Sequence, residues 1–310
     1  MASTVFPAAS SAGVVQKAQA FTSTGTFVAP SNCYSLSLFL VGGGGGGGAA
    51  RITSNNHAVV GGGGGGASVV KRTVSITPGT TYTFTIGAGG AGGTYTAAGA
   101  VGSDSTMTGS GFTTITALGG GGGQTGNRGS STYYAGTARA TGGGAYGVQN
   151  QVSGGGGGAG GNGISYRGGT EAYNTNTGAT AYPKPNTANG NNEGIQSSGG
   201  TGGLAAVFES VSPFAATSLA GIGIDNYGNG GPGAAIHLTI NPAFFCTVSS
   251  FAGIASRKLQ GCDSAAGVAS IANTGNGGGG ASVAQIDDCG GQENTGGAGG
   301  SGFAYITYWT

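Results

Sequence analysis

Tyr34-Ser-Leu-Ser-Leu-Phe-Leu-Val41 runs without a break into Gly42-Gly-Gly-Gly-Gly-Gly-Gly48. The first eight residues read as a strand with Tyr34, Leu36, Leu38 and Leu40 on one face. Ser35 and Ser37 start the other face as polar, and Phe39 and Val41 finish it as apolar. The strand is therefore expected to be half-buried where it begins and buried on both faces where it meets the glycines. A flexible glycine linker would sit among polar residues; a run entered from such a strand is expected to have a packing role. Glycine is unfavourable in helix and strand because it gives up the most backbone freedom on folding. Polyproline II remains open to it, an extended threefold helix rising about 3.1 Å per residue, so that seven residues span roughly 22 Å. That helix has no internal hydrogen bonds, and buried backbone groups must then find partners on neighbouring segments. Without Cβ atoms, several runs can lie side by side and exchange N–H···O=C bonds, so glycine backbone is expected to replace a side-chain core.

A second run, Gly61 to Gly66, leads into a strand over residues 67–76, where Val70, Arg72, Val74 and Ile76 alternate. Thr77-Pro78-Gly79-Thr80 makes a turn, and residues 81–86 return as a strand alternating Tyr82, Phe84 and Ile86. Upstream, Phe21, Phe27 and Val28 with intervening threonines suit a strand over 21–29, stopped by Pro30 and Asn32. Downstream, glycine segments recur at 87–93, 119–123, 154–163, 199–203, 228–233, 275–280 and 296–302. No fixed length separates them, which excludes a solenoid of identical coils. Further strand candidates lie at 112–118, 234–240, 281–286 and 303–309, and only 247–259 is compatible with a short helix. The fold class expected is all-β: antiparallel β-sandwich-like strands combined with packed polyglycine helices of polyproline-II type. Residues 1–22 read as an N-terminal arm for attachment or oligomer contact, and 23–310 as one glycine-rich domain with polar insertions at 124–274.

Only 6% of the 310 residues are charged and the net charge is +1, so there is no basic footprint for nucleic acid or an acidic membrane. Low charge leaves little protection against self-association, which points to an oligomer. No apolar stretch is long enough to insert across a bilayer. Residues 1–22 lack the basic start and apolar centre of a secretory signal. Ala18-Gln19-Ala20 has the look of a cleavage motif, but Gln16 and Lys17 occupy the place of its apolar core. Cys33, Cys246, Cys262 and Cys289 form no CxxC pair, against zinc. A Cys246–Cys262 disulfide is open, with buried free thiols the default. His57 and His237 belong to no triad or ligand pattern, and Asp287-Asp288 reads as a solvated turn before Cys289. There is no P-loop; glycoside hydrolysis needs two carboxylates brought together by the fold, which nine acids leave formally open. The expectation is no enzyme, no cofactor and no metal.

The order Thr26-Phe-Val-Ala-Pro30 followed by Ser35-Leu-Ser-Leu-Phe-Leu-Val-Gly-Gly-Gly44 resembles the glycine-rich domain of bacteriophage tail fibres and related virion appendages. The likeness continues through Ser75-Ile-Thr-Pro-Gly-Thr-Thr-Tyr-Thr-Phe-Thr-Ile-Gly-Ala-Gly-Gly90 and Gly102-Ser-Asp-Ser-Thr106. It then takes in Ile115-Thr-Ala-Leu-Gly-Gly-Gly121 and closes on Gly299-Gly-Ser-Gly-Phe-Ala-Tyr-Ile-Thr-Tyr-Trp309. It covers 21–123 and returns at 275–310, while 124–274 departs from it. The resemblance implies a virion structural protein, often a receptor-binding fibre tip, made in the host cytoplasm and acting outside the cell. A homotrimer would suit fibre geometry and hide edge strands, with the N-terminal arm gripping other virion proteins.

Tyr133, Tyr134, Tyr146, Tyr166, Tyr173 and Tyr182 stand among Asn, Ser, Thr and Gly. That mix suits binding loops, because tyrosine gives rigid contact area and small polar residues give adaptable hydrogen bonds. With Asn55, Asn56 and His57 in the segment 51–60, these are the candidate contacts to a receptor, either a bacterial surface glycan or an outer-membrane protein. Two rival expectations are an architectural virion protein that decorates or cements a shell, and a cellular glycine-rich matrix protein.

Overall fold

The computed structural model describes residues 14–53, 57–128, 147–148, 207–208, 216–217, 223–231, 264–285 and 291–310. These are strands, turns and extended segments, with no helix among the described residues. The first sheet is antiparallel with the order β1 (Gln16–Phe21), β17 (Phe303–Trp309), β3 (Ser35–Val41), β6 (Val69–Ser75). The second, also antiparallel, runs β2 (Gly25–Val28), β7 (Thr81–Thr85), β8 (Ser105–Gly109), β9 (Ile115–Ala117). One core joins them: Leu36, Leu38, Leu40, Val70, Val74 and Ile306 from the first, Phe27, Tyr82, Phe84, Met107 and Ile115 from the second. Alternation in β3 places Leu36, Leu38 and Leu40 in this core, while Ser35 and Ser37 face water. Val41 is buried on the other face beneath Ile224, Val69 and Ala67, so β3 is two-sided at its glycine end, as its sequence predicts.

The described residues form three further, smaller sheets. The third has the order β10 (Gly126–Arg128), β4 (Ala50–Ile52), β16 (Gln292–Asn294), with β10 parallel to β4. The fourth runs β11 (Gly147–Val148), β5 (His57–Val60), β15 (Ser282–Gln285), β14 (Ser264–Ala265), and β12 (Val207–Phe208) pairs with β13 (Ala216–Thr217). Ala50, Ile52, Val59, Ala281 and Val283 form the apolar cluster of this end.

Glycine runs connect the two ends, and their hydrogen bonds repeat every third residue. The N–H groups of Gly42, Gly45 and Gly48 donate to the carbonyls of Ser68, Gly65 and Gly62. Those of Gly43 and Gly46 donate to Ser103 and Ala100, and those of Gly44 and Gly47 to Gly300 and Gly297. Partner numbers fall as donor numbers rise, so these three neighbours are antiparallel. In the other direction, Gly43 and Gly46 accept from Gly120 and Gly123, Gly44 and Gly47 from Gly90 and Gly93, and Gly45 and Gly48 from Gly278 and Ala281. These three neighbours are parallel. The central run is thus enclosed by six segments, and every donor from Gly42 to Gly48 is satisfied as burial demands.

Burial explains which positions must be glycine. Segments 42–48, 61–66, 119–123 and 275–280 are buried throughout, and Asn276 is their single non-glycine residue. A Cβ on Gly45 or Gly46 would lie far inside 3.0 Å of the Gly121 or Ala91 carbonyl oxygen. The outer segments bury one position in three. Gly87, Gly90 and Gly93 are buried, whereas Ala88 and Ala91 face water; Gly99 and Gly102 are buried, whereas Ala100 and Ser103 are exposed. Side chains appear only where they point outward.

Where glycine segments meet strands, buried hydroxyls and amides close the hydrogen-bond network. Ser105 Oγ accepts from Gly87 N (2.9 Å) and Ser68 Oγ from Leu118 N (2.6 Å). Asn276 Oδ1 accepts from Asn229 N (2.8 Å), and Asn229 Oδ1 from Gly223 N (2.7 Å). Thr125 Oγ1 takes the N–H of Ala49 and donates to the Ala97 carbonyl, both at 2.9 Å. Thr125→Val keeps the shape and strands both partners, so urea unfolding is expected to show a loss of about 1–3 kcal/mol.

Gln16 to Phe21, the last part of the segment read as an N-terminal arm, forms the edge strand of the first sheet, paired with β17. Two expectations need correction. The single strand expected over 21–29 is two: Phe21 ends β1 and, after a bend, Gly25 begins β2 in the other sheet. Residues 67 and 68 belong to the glycine network, because Ala67 N donates to Gly275 O and Ser68 N to Leu118 O. The turn at 77–80 is as expected: Gly79 has φ 75°, which glycine supplies at the third position of a type II turn, and Thr80 N reaches Thr77 O at 3.2 Å.

Candidate functional site

The tyrosine-rich stretch that carries the recognition expectation lies outside the described residues: Tyr133, Tyr134, Tyr146, Tyr166, Tyr173 and Tyr182 all fall there, as do Asn55 and Asn56. So do Cys246, Cys262, Cys289, His237, Asp287-Asp288, the glycine segments at 154–163 and 199–203, the strand candidate at 234–240 and the helix candidate at 247–259. His57 opens β5, paired with Gln285 of β15. Its segment, 51–60, is held at both ends, since Ile52 and Val59 are buried. Both ends of this candidate loop are therefore tied into the sheets that cap the glycine layer, a short rigid base for the residues between.

Arg51 projects from β4 to the same end of the molecule. Its guanidinium carbon lies 4.5 Å from the Tyr95 ring centroid, and its Nε lies 3.9 Å from Glu293 of β16. Tyr95 sits in the reversal Thr94–Ala97 between two outer glycine segments, so an exposed aromatic and an ion pair share this surface. At the opposite end, Tyr34, Tyr305 and Trp309 are exposed, while Tyr227 lies between Phe39 (4.9 Å) and Phe303 (6.0 Å). Sequence reading does not single out these four exposed aromatics, because Tyr34, Tyr305 and Trp309 read there as strand residues and Tyr95 stands alone between glycine segments.

The described carboxylates have structural partners. Asp104 Oδ1 accepts from Gly119 N (2.9 Å), Asp225 pairs with Lys71 (2.9 Å) and Glu293 with Arg51. Both members of the Lys71–Asp225 pair are more than half exposed, so Lys71→Ala is expected to cost less than about 1 kcal/mol in thermal unfolding. No group of three His, Cys, Asp or Glu side chains converges among the described residues. Cys33 is buried and free, its thiol donating to Ser35 O at 3.4 Å. No helix among the described residues is long and apolar enough to cross a membrane. A cleft of about 320 Å³ opens along the free edge of β6, between Arg72 and Val74 on one side and Gly111, Phe112, Thr113 and Ile115 on the other.

What defines this molecule is the glycine layer between capping sheets. The sequence model of the glycine-rich domain matches residues 21–309, and the chain belongs to that family. The match spans both sheet ends and every described glycine segment of the network. No curated protein matches the chain.

Proposed function

We propose that the chain is a structural protein of a bacteriophage virion, part of a tail fibre, spike or other appendage that takes part in recognising the host surface. The observation that carries this reading is the central run 42–48, enclosed by six backbone neighbours and continuous with strands at both ends. Together with the ordered motifs of 21–123 and 275–310, it supports a tail-fibre type of glycine-rich domain. The threefold repeat of partners and burial supports runs of polyproline-II type, packed as parallel and antiparallel helices between a β-sandwich and its capping sheets. Such a body contains few side chains able to repack. It is a stiff support from which the insertions of 124–274 contact a receptor, in keeping with recognition loops on rigid scaffolds.

In this reading the protein is a binding part and not a catalyst, needs no cofactor, and assembles as a homotrimer attached through residues 1–22 to other virion proteins. Its receptor is a bacterial surface glycan or outer-membrane protein. The test is binding of labelled protein to a panel of intact bacterial strains. Saturable binding to a few strains, competed by unlabelled protein, is the expected result, and replacing residues 129–146 and 149–193 by short linkers, which keeps β10 and β11, should abolish it while leaving the fold intact. A folded protein that binds no strain adsorbed by its parent virion would favour the architectural role and overturn recognition.

A further inference from the structure

β1 has no strand on its outer side among the described residues. Its register with β17 runs unbroken over six residues, and no proline or bulge interrupts it. Val15 and Thr310 exchange both backbone bonds, which sets the parity of the ladder. The N–H and C=O groups of residues 15, 17, 19 and 21 therefore turn toward β17. Those of Gln16, Ala18 and Ala20 point away from the sheet, and all three residues are exposed. Such a row of open donors and acceptors is a template for another strand. The other outer strands of the sandwich offer less. β2 and β9 have four and three residues, and Gly111, Phe112 and Thr113 stand beside β6.

The two faces of this edge say what kind of strand fits it. Register sets Gln16, Ala18 and Ala20 on the outer face with Trp309, Thr307 and Tyr305, while Ala304 and Ile306 are buried on the other. Tyr305 and Trp309 are exposed. An added strand would lie about 10 Å from β17, so its large apolar side chains reach the two rings over the low Ala18 and Ala20. On the core-facing side Phe21 is buried, and Lys17, opposite Tyr308, is exposed. Lys17 is the single charge of β1 and has no ion pair among the described residues. A second β1 in full overlap would set Ala18 against Ala18 and the two Lys17 side chains diagonally on one face, where like charges repel. A carboxylate in that place pairs with Lys17 instead.

We propose that the outer edge of β1 accepts an extended strand of another protein, acidic where it faces Lys17 and apolar where it lies beside Ala18 and Ala20. Backbone bonds to residues 16, 18 and 20 supply the attachment, and the side-chain pattern selects the partner. This deepens the attachment through residues 1–22 and rests on that reading for the source of the strand.

The test is residue-resolved amide hydrogen exchange of the full chain with a synthetic peptide, acetyl-Thr-Ile-Thr-Ile-Glu-Ile-Thr-amide, whose glutamate falls opposite Lys17 in antiparallel register. In the free chain Lys17, Gln19 and Phe21 should be protected, and Gln16, Ala18 and Ala20 should exchange quickly. Saturating peptide is expected to slow these last three at least about tenfold. The same peptide with lysine for glutamate should bind more weakly, and Lys17→Glu should reverse the order of the two. Ala18→Pro removes only an outward N–H, where an edge strand tolerates proline, so it should keep the fold and lose the slowing at Gln16 and Ala20. No slowing of the wild type by the glutamate peptide overturns the docking edge, and equal binding of the two peptides overturns the acidic partner. Slowing with rising protein concentration alone, with a dimer in sedimentation, assigns the edge to a second copy and overturns a separate partner. Binding to bacterial strains is measured apart from these, so failure of the recognition reading is told from failure of the edge.

Discussion

Gly45→Val is expected to lower stability by at least about 3 kcal/mol and the melting temperature on the order of 10 °C. Its Cβ would be driven against the Gly121 carbonyl, with the Gly120 carbonyl close behind. Neither neighbour is a side chain that can swing aside. Gly120 donates to Gly43, and Gly121 accepts from Gly65, so relief at one point opens hydrogen bonds at others. The control is Ala91→Ser on an outer segment, at a position facing water, where a change within about 0.5 kcal/mol is expected. Differential scanning calorimetry on the two variants separates them. Equal small effects would place the central run in solvent.

Phe84→Ala is the other substitution of large effect, with an expected loss of about 3–5 kcal/mol by denaturant unfolding. Phe84 is fully buried, and its ring stacks on Phe21 with centroids 4.3 Å apart and planes 14° apart. Phe21 is the last residue of β1 and Phe84 belongs to β7, so this contact ties the edge of one sheet to the middle of the other. The cavity would therefore loosen β1 from the core, and the amides of residues 16–21 should exchange faster than in the parent. A loss below about 1 kcal/mol would mean that the two sheets do not share a core.

β3, β6 and β7 are legible in the sequence because each alternates apolar and polar residues over much of its length and is bounded by glycine or a turn, and β17 because it is an apolar run that follows glycine. β1 is not legible: Gln16-Lys-Ala-Gln-Ala-Phe21 has one large apolar residue, and its strand conformation comes from the register with β17. β4 and β10, three residues each, are too short to show a period. The packing role of the glycines can be read from the apolar strand that enters them. A finer signal is present in Gly87-Ala-Gly-Gly-Ala-Gly-Gly93, where alanine recurs every third residue, the spacing at which an outer run faces water. The spacing between runs says nothing, but the spacing within them separates inner from outer. Ser68, Ser105 and Thr125 look like any small polar residues, and only tertiary partners reveal them as caps. Arg72 is legible as an alternating member of β6. The tyrosine-rich insertions are visible as composition alone.

The most direct test of the glycine layer is residue-resolved amide hydrogen exchange at Gly42 to Gly48 beside residues 87–93. Every amide of the central run donates a hydrogen bond, so all seven should be protected as strongly as β3. In the outer run, Gly87, Gly90 and Gly93 alone donate among the described residues, so these three should be protected while Ala88, Gly89, Ala91 and Gly92 exchange quickly. Uniformly fast exchange across Gly43 to Gly47, or protection without the three-residue period at 87–93, would contradict a core built from glycine backbone.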